Sequence, residues 1–125
     1  MIFIDTNVFI RFLTQDHLEM YTKARSFFIG LNNSDKKYLI EDSVIGEILY
    51  VTTSKKLYNL PRLLIVPRLV GVLKNENIYY IYKDQLMSAL DKFADSNLDF
   101  VDCLALSYKD AGIVDEIFSF DKKVK

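Results

Sequence analysis

Acidic residues in this 125-residue chain stand where short apolar runs end or where helical segments begin. Asp5 directly follows the first apolar run, and Asp121 follows the last. Between them, comparable positions hold Asp42, Glu47, Asp99 and Asp102. Carboxylates that meet in a folded chain can hold a divalent cation, and oxygen ligands favour Mg²⁺ or Mn²⁺ over zinc. Such a site suits hydrolysis of a phosphate ester, which then needs no histidine or covalent nucleophile.

Helix capping offers a second explanation for the same residues. Asp5, Asp42 or Ser43, and Asp99 have side-chain oxygens that can accept hydrogen bonds from the first amides of a helix. Asp102 stands three residues after Asp99, like the acidic member of a capping box, and acidic residues in a first turn suit the helix dipole. At any one of these positions, capping explains the residue without a metal ion.

Two of the acidic residues are poorly explained by capping. Asp102 is flanked by Val101 and Cys103, and Glu47 lies within the apolar stretch SVIGEILYV. We expect both carboxylates to be half-buried, and a half-buried carboxylate needs a partner or its pKa rises. Carboxylates that converge also repel one another, by roughly 4 kcal/mol per pair at 4 Å. A divalent cation would remove both costs.

Four short apolar runs are rich in β-branched and aromatic residues and predict strands. They span residues 2–4, 38–40, 78–81 and 117–120. Apolar residues at helical spacing form three stripes between these runs: Val44, Ile48 and Val51; Leu86, Leu90 and Phe93; Phe100, Leu104 and Tyr108. The alternation implies a parallel sheet with crossover helices, and ligands of such sheets bind beyond the carboxyl ends of the strands.

The composition bounds the class of protein. The length suits a single domain over residues 1–125, and the net charge of −1 gives no global basic field for a nucleic acid. Cys103 is the only cysteine and His17 the only histidine, which disfavours disulfides, zinc and Ser-His or Cys-His catalysis. Asp5 and Arg11 interrupt the first apolar segment, so we expect neither a signal peptide nor a membrane span. These features favour a cytoplasmic protein.

The chain resembles the PIN-domain family, and in particular the VapC-type toxin ribonucleases of toxin–antitoxin pairs. The resemblance rests on four motifs in order: FIDTNVFI, SVIGEILY, DFVDCLALSYKDAG and FSFDKKVK. Each motif alone is weak, but together they run along essentially the whole chain. The resemblance implies an α/β fold with three α/β/α layers around a central parallel sheet of four or five strands.

The resemblance also implies an activity and a set of residues. It implies a Mg²⁺- or Mn²⁺-dependent endoribonuclease that uses one or two ions, is commonly dimeric, and is inhibited by a small antitoxin protein. The residues that match the acidic metal-binding and catalytic positions are Asp5, Glu47, Asp102 and Asp121. Thr6, Asn7 and Ser43 match accompanying polar positions that would orient the carboxylates or the attacking water, and Asp99 is a possible further member.

An acidic pocket repels RNA, so cations near it should hold the phosphates. The candidates for RNA binding are Arg11, Lys55, Lys122 and Lys123. The stretch LYNLPRLLIVPRLVGVL at 57–73 carries more apolar residues than one side of a small helix needs. It can serve as core, as a homodimer face or as an antitoxin groove. Pro61 suits a helix start and Pro67 a kink, so one helix or two short helices fit this stretch.

The alternative to an enzyme is a degenerate PIN-like module that binds RNA or a protein partner without cleaving it. Two other phosphate-handling classes fit the sequence less well. A haloacid-dehalogenase-like phosphatase would have a second aspartate two residues after Asp5, where Asn7 stands. A phospho-receiver would have an aspartate at the third strand, where Tyr82 and Lys83 stand.

Overall fold

The computed structural model describes residues 1–122 and divides the chain into two compact units. The first unit, Met1–Ile81, contains three strands and four α-helices. Its elements are β1 (Ile2–Phe3), α1 (Thr6–Thr14), α2 (Leu18–Gly30), the 3₁₀ turn Leu31–Asn33, β2 (Tyr38–Leu39), α3 (Asp42–Thr53), α4 (Arg62–Leu73) and β3 (Ile78–Tyr79). The second unit begins at Tyr82 and contains α5 (Lys83–Ala94) and α6 (Phe100–Asp110).

The sheet of the first unit is parallel, as the alternation of strands and helices predicted. Its strands lie in the order β1-β2-β3, and Tyr38 stands opposite both Ile2 and Ile78. The hydrogen-bond ladder continues past the short strands, because the Ile4 amide donates to the Leu39 carbonyl over 3.2 Å. Since all three strands run the same way, the segments that follow them leave from the same edge of the sheet.

The predicted fourth strand at 117–120 is wrong, and the sheet within residues 1–122 has three strands rather than four or five. Alternating aromatic residues predict a strand only where a neighbouring edge pairs with it. Here the rings of Phe118 and Phe120 contact each other and are 90% and 93% exposed. The Asp121 amide donates to Ser119 Oγ over 2.9 Å, a local bond of the kind that competes with a ladder.

The apolar stripes of the helices form the core, as their spacing predicted. Leu86, Leu90 and Phe93 of α5 are buried, and so are Val44 and Ile48 of α3, whereas Val51 is half-buried. Each fully buried leucine or phenylalanine stabilises the fold by about 1.5–3 kcal/mol relative to its exposed state. The periodicity therefore identified which side of each helix faces the interior.

Helix α6 follows the same rule. Phe100 and Leu104 are buried, and Tyr108, the last residue of that stripe, is only half-buried. Cys103, between them, is completely buried in α6, which agrees with a small apolar role for its thiol. In the second unit, Ser107 Oγ donates to Ser88 Oγ over 3.3 Å, and Lys92 pairs with Asp110 at 3.0 Å. These contacts join α5 to α6.

The stretch at 57–73 forms one continuous helix rather than two. Pro61 is its N-cap residue, and Pro67 lies inside α4. Pro67 has no amide to donate and interrupts the backbone ladder of α4 at one position. The helix persists because Ile65 and Leu69 pack into the core, with neither exposed to solvent. Every helix within residues 1–122 is too short or too polar to cross a membrane.

Candidate functional site

Asp5 stands at the point where β1 gives way to α1. Ile4 is buried, whereas Asp5 is exposed and has the extended backbone of an N-cap residue, with φ −76° and ψ 150°. Its side chain nevertheless makes no capping hydrogen bond. The capping explanation for the Asp5 carboxylate is therefore wrong in this structure.

Thr6 connects the start of α1 to α3. It is the first residue of α1, is buried, and its hydroxyl donates to Glu47 Oε2 over 3.4 Å, across 41 positions of sequence. The Glu47 carboxylate is thereby placed beside the residue that follows Asp5. This contact brings two of the predicted acidic positions to one edge of the sheet.

Glu47 itself is exposed, so the prediction that its carboxylate is half-buried is wrong. Its apolar neighbours in sequence, Ile45 and Ile48, turn to the core on other sides of α3. Along its own side of the helix, Glu47 follows Ser43 by one turn and precedes Tyr50, and both of these are exposed. Ser43 and Glu47 therefore share a solvent-facing side of α3.

The start of α3 carries two more acidic residues. Glu41 is its N-cap residue and makes no side-chain capping bond, and Asp42 is the first residue of the helix. Both are exposed. Sequence reasoning weighed Asp42 as a cap and overlooked Glu41, although the apolar run at 38–40 ends directly before it. Glu41 and Asp42 follow β2 in the same way that Asp5 follows β1, so all three lie at the edge formed by the carboxyl ends of the strands.

A cavity of about 390 Å³ lies beside β1, and we call it the β1 cavity. Asp5, Asn7 and Arg11 contribute its polar wall, and Asn7 and Arg11 lie one turn apart on α1. The remaining wall is mainly apolar and comes from β1, α1 and α2: Ile2, Phe3, Ile4, Val8, Met20, Lys23, Ala24 and Phe27. Within residues 1–122, β1 is an outermost strand of the sheet, so this cavity lies along one side of the sheet.

The second unit holds Asp102 and Asp121, the other two predicted metal-binding carboxylates, together with Asp99. Asp99 is the N-cap residue of α6 and makes no side-chain capping bond, so capping does not explain it either. Asp102 lies in the first turn of α6 and is half-buried, as predicted. Asp121 is exposed and follows no strand, so its predicted place at a strand end is wrong.

The four predicted carboxylates are divided between the two units, and their convergence on one metal ion stays a prediction. Within residues 1–122, no three His, Cys, Asp or Glu side chains lie close enough together to hold a metal ion. Asp5 and Glu47 belong to the first unit, and Asp102 and Asp121 to the second. Strand ends and helix starts place residues only to within several ångströms, whereas Mg²⁺ requires oxygen ligands at about 2.0–2.1 Å. The sequence could therefore indicate the donors without fixing their geometry.

Of the predicted RNA-binding cations, Arg11 has the best-defined surroundings. It is half-buried on the wall of the β1 cavity, and its Nη1 lies 3.4 Å from Asp16 Oδ1. Lys55 is exposed between α3 and α4, Lys122 is exposed near the end of the described chain, and Lys123 lies outside the described residues. Lys23 of α2 also lines the cavity, and sequence reasoning overlooked it.

Asp16 accepts hydrogen bonds from two further side chains. The Tyr58 hydroxyl donates to Oδ2 over 2.5 Å, and the Thr14 hydroxyl donates to Oδ1 over 2.9 Å. The bond from Tyr58, followed by that from Thr14, holds the pKa of the Asp16 carboxyl below its usual range. The same bond raises the pKa of the Tyr58 hydroxyl. Sequence reasoning overlooked this group, because 42 residues separate its two halves.

The model of one protein family matches the chain from residue 2 to residue 125, and that family is the PIN domain. The chain belongs to the PIN domain family. PIN domains are generally metal-dependent nucleases, and they typically bind divalent metal ions. The predicted family is therefore confirmed for this PIN domain, and the VapC-type toxin assignment stays a prediction. A search among curated proteins found no match.

Proposed function

We propose that this PIN domain is a Mg²⁺- or Mn²⁺-dependent endoribonuclease and acts as the toxin of a type II toxin–antitoxin pair. The observation that supports the proposal best is the hydrogen bond from Thr6 to Glu47. It joins the element that carries Asp5 to the element that carries Glu47, at the sheet edge where parallel α/β folds bind ligands. A nuclease needs its acidic donors at one such place.

The donors present fit a hard divalent cation. Asp5 and Glu47 supply carboxylate oxygens, which are ligands that Mg²⁺ and Mn²⁺ prefer. In the proposed enzyme Asp5, Glu47 and Asp102 would hold the cation, and Asp121 would support it or a second ion. When bound, such a cation makes water a better nucleophile and offsets negative charge on the phosphoryl group.

The polar neighbours of these carboxylates would orient them. Thr6 donates to one Glu47 oxygen and so restricts rotation of that carboxylate. Asn7 and Ser43 are exposed in the first turns of α1 and α3, and there they can position the attacking water or the scissile phosphate. Asp99 would play the same part at the start of α6. Arg11 and the lysines at 55, 122 and 123 would attract the RNA phosphates.

Cleavage of RNA by matched variants tests the proposal. We expect the wild-type protein to cleave a structured RNA pool with Mg²⁺ or Mn²⁺, and a chelator to stop it. Asp5→Asn and Glu47→Gln should abolish cleavage. Asp35→Asn and Glu76→Gln are the controls and should keep it, because both exposed acids precede β2 and β3, at the opposite edge of the sheet. Cleavage that survives Asp5→Asn and Glu47→Gln would refute the enzyme and indicate a contaminating nuclease.

A binding module is the second candidate function. It is favoured by the finding that, in the described part of the chain, no three potential ligands lie within reach of one metal ion. RNA binding without cleavage, equal in wild type and in Asp5→Asn, would support the module over the enzyme.

The proposed partners are a second copy of the chain and a small antitoxin, with the cytoplasm as the compartment. Part of the apolar surplus at 57–73 is core, since Ile65, Val66 and Leu69 are buried. Leu57 and Leu63 are exposed, and exposed apolar residues of this size favour a partner surface. We expect a homodimer in solution by light scattering, and Leu63→Gln should shift it toward monomer. An unchanged mass for Leu63→Gln would place the dimer face elsewhere.

A further inference from the structure

The carboxylate of Asp16 receives three donors at unequal distances. Tyr58 and Thr14 donate over 2.5 and 2.9 Å, whereas Arg11 Nη1 stands 3.4 Å away. The two hydroxyl groups therefore fix the carboxylate, and the carboxylate in turn holds one end of the guanidinium. A guanidinium has five N–H donors, so the contact through Nη1 leaves capacity for another anion.

The two segments that meet in this group have strained backbones. Gln15, directly before Asp16, has φ 56°, and Asn59, directly after Tyr58, has φ 52°. Left-handed conformations cost a non-glycine residue energy, and they persist where surrounding contacts require them. In addition, Arg68 Nη1 donates to the Leu13 carbonyl over 3.0 Å, which fixes the last turn of α1 from α4. The end of α1 is thus held by contacts from distant parts of the first unit.

Arg11 belongs to this fixed last turn of α1, and it also forms part of the polar wall of the β1 cavity. It shares that wall with Asp5 and Asn7. Arg11 follows Asp5 by six positions, which corresponds to about 9 Å along the axis of α1. An RNA strand bound at Asp5 can therefore place a neighbouring phosphate beside Arg11.

We propose that Asp16 and Tyr58 are positioning residues, which hold the Arg11 guanidinium on the wall of the β1 cavity for contact with an RNA phosphate. The inference rests on the proposed function, since it requires that the protein binds RNA. It assigns a role to two residues that lie outside the acidic motifs. Tyr58 acts on Asp16, and Asp16 acts on Arg11.

The charge of Asp16 makes the sign of the effect informative. Loss of an acidic group from a protein of net charge −1 should, by electrostatics alone, strengthen RNA binding. Loss of a positioning group should weaken binding. Asp16→Ala removes both the negative charge and the contact that positions Arg11. Electrostatics alone predicts that this variant binds RNA more tightly, whereas loss of positioning predicts that it binds RNA more weakly.

The test measures binding of a fluorescein-labelled single-stranded oligouridylate by anisotropy, in EDTA, over a series of salt concentrations. Tyr58→Phe removes only the hydroxyl, and we expect Kd to rise roughly fivefold, as for the loss of one exposed charge contact of about 1 kcal/mol. The slope of log Kd against log salt should fall by about 0.7, the value for one phosphate contact on a single strand. Asp16→Ala should act in the same direction. Tyr21→Phe, whose ring stacks on Phe12, is the matched control and should bind as wild type does.

The double variant separates positioning from general destabilisation. In an Arg11→Ala background, Tyr58→Phe should cause no further loss of binding, because the residue that it positions is gone. An equal loss with and without Arg11, or tighter binding by Asp16→Ala, would overturn the inference. If the wild type binds RNA and Tyr58→Phe binds equally well with an unchanged salt slope, the inference alone fails. If the wild type does not bind the oligouridylate, the inference fails, whereas the proposed ribonuclease fails only if the structured RNA pool is not cleaved with Mg²⁺ or Mn²⁺.

Discussion

The two units of this PIN domain place their acidic residues by different means. In the first, α1, which follows Asp5, is fixed at both ends by contacts between residues 41 to 55 positions apart, from Thr6, Tyr58 and Arg68. In the second, Asp102 stands in the first turn of a helix, and Asp121 follows a segment whose aromatic rings are exposed. Position in the first unit therefore depends on how α1, α3 and α4 pack together.

This difference indicates where a substitution acts. A change at the sheet edge of the first unit alters several elements at once, because each contact joins two segments that are distant in sequence. A change on α5 or α6 acts on a helix pair joined by Ser88, Ser107 and Lys92. The predictions below compare equivalent changes in the two units.

The largest effect is expected at the acidic residues themselves. Asp5→Asn should lower the rate of RNA cleavage by roughly a thousandfold, since a bound cation contributes several kcal/mol of transition-state stabilisation. Asp102→Asn should cause a comparable loss, and Asp121→Asn a smaller one. Single-turnover cleavage assays at saturating Mn²⁺ measure all three. A full rate for Asp102→Asn would confine the chemistry to the first unit.

Core truncation should destabilise both units by similar amounts. Leu69→Ala in α4 and Leu90→Ala in α5 each remove a side chain with no exposure, and each should cost about 2–5 kcal/mol of unfolding free energy. Leu18→Ala, at a side chain that is 78% exposed, should change it by less than about 0.5 kcal/mol. Urea denaturation gives the three values. A cost for Leu90→Ala near that of Leu18→Ala would mean that the second unit is loosely packed.

Removal of one hydroxyl should distinguish a hydrogen bond that orients a metal ligand from one that only supports the fold. Thr6→Val deletes the donor to Glu47 and should lower activity or Mn²⁺ affinity roughly 10- to 100-fold, as for other groups that orient a metal ligand. Ser107→Ala deletes the donor to Ser88 in the second unit and should leave both unchanged. Isothermal titration with Mn²⁺ and the cleavage assay provide the readouts. Equal behaviour of the two variants would remove Thr6 from the site.

The smallest effect is expected in the pH dependence of stability. The pKa of Asp16 is lowered in the folded state, so its contribution to stability is present above the unfolded pKa and is lost as pH falls through the folded one, below about pH 4. Because Asp16 is exposed, the loss should be small. Tyr58→Phe should flatten this part of the curve of melting temperature against pH. A curve identical to that of the wild type would show that the bond adds no stability.

Features set by local pattern could be predicted from the sequence. The spacing of Leu86, Leu90 and Phe93 identified the buried side of α5, and the runs at 2–4, 38–40 and 78–81 contained the three parallel strands. These features follow from periodicity and from alternation of elements, which the chain carries residue by residue.

Features set by distant partners could not be predicted. The run at 117–120 has the composition of a strand, but composition does not supply a neighbouring edge. Glu47 has apolar neighbours in sequence, yet on a helix these turn away from it. The bond between Asp16 and Tyr58 joins two loops whose meeting depends on how α1 and α3 pack. In each case the deciding contact lies outside any short window of sequence.

The burial of Cys103 has a practical consequence. It is the only thiol of the chain, it has no exposure, and it directly follows Asp102 on α6. A thiol reagent can modify it only when α6 opens, so the labelling rate reports the frequency of that opening. The same measurement in the presence and absence of Mn²⁺ would show how far metal binding lowers the frequency with which the helix that carries Asp102 opens.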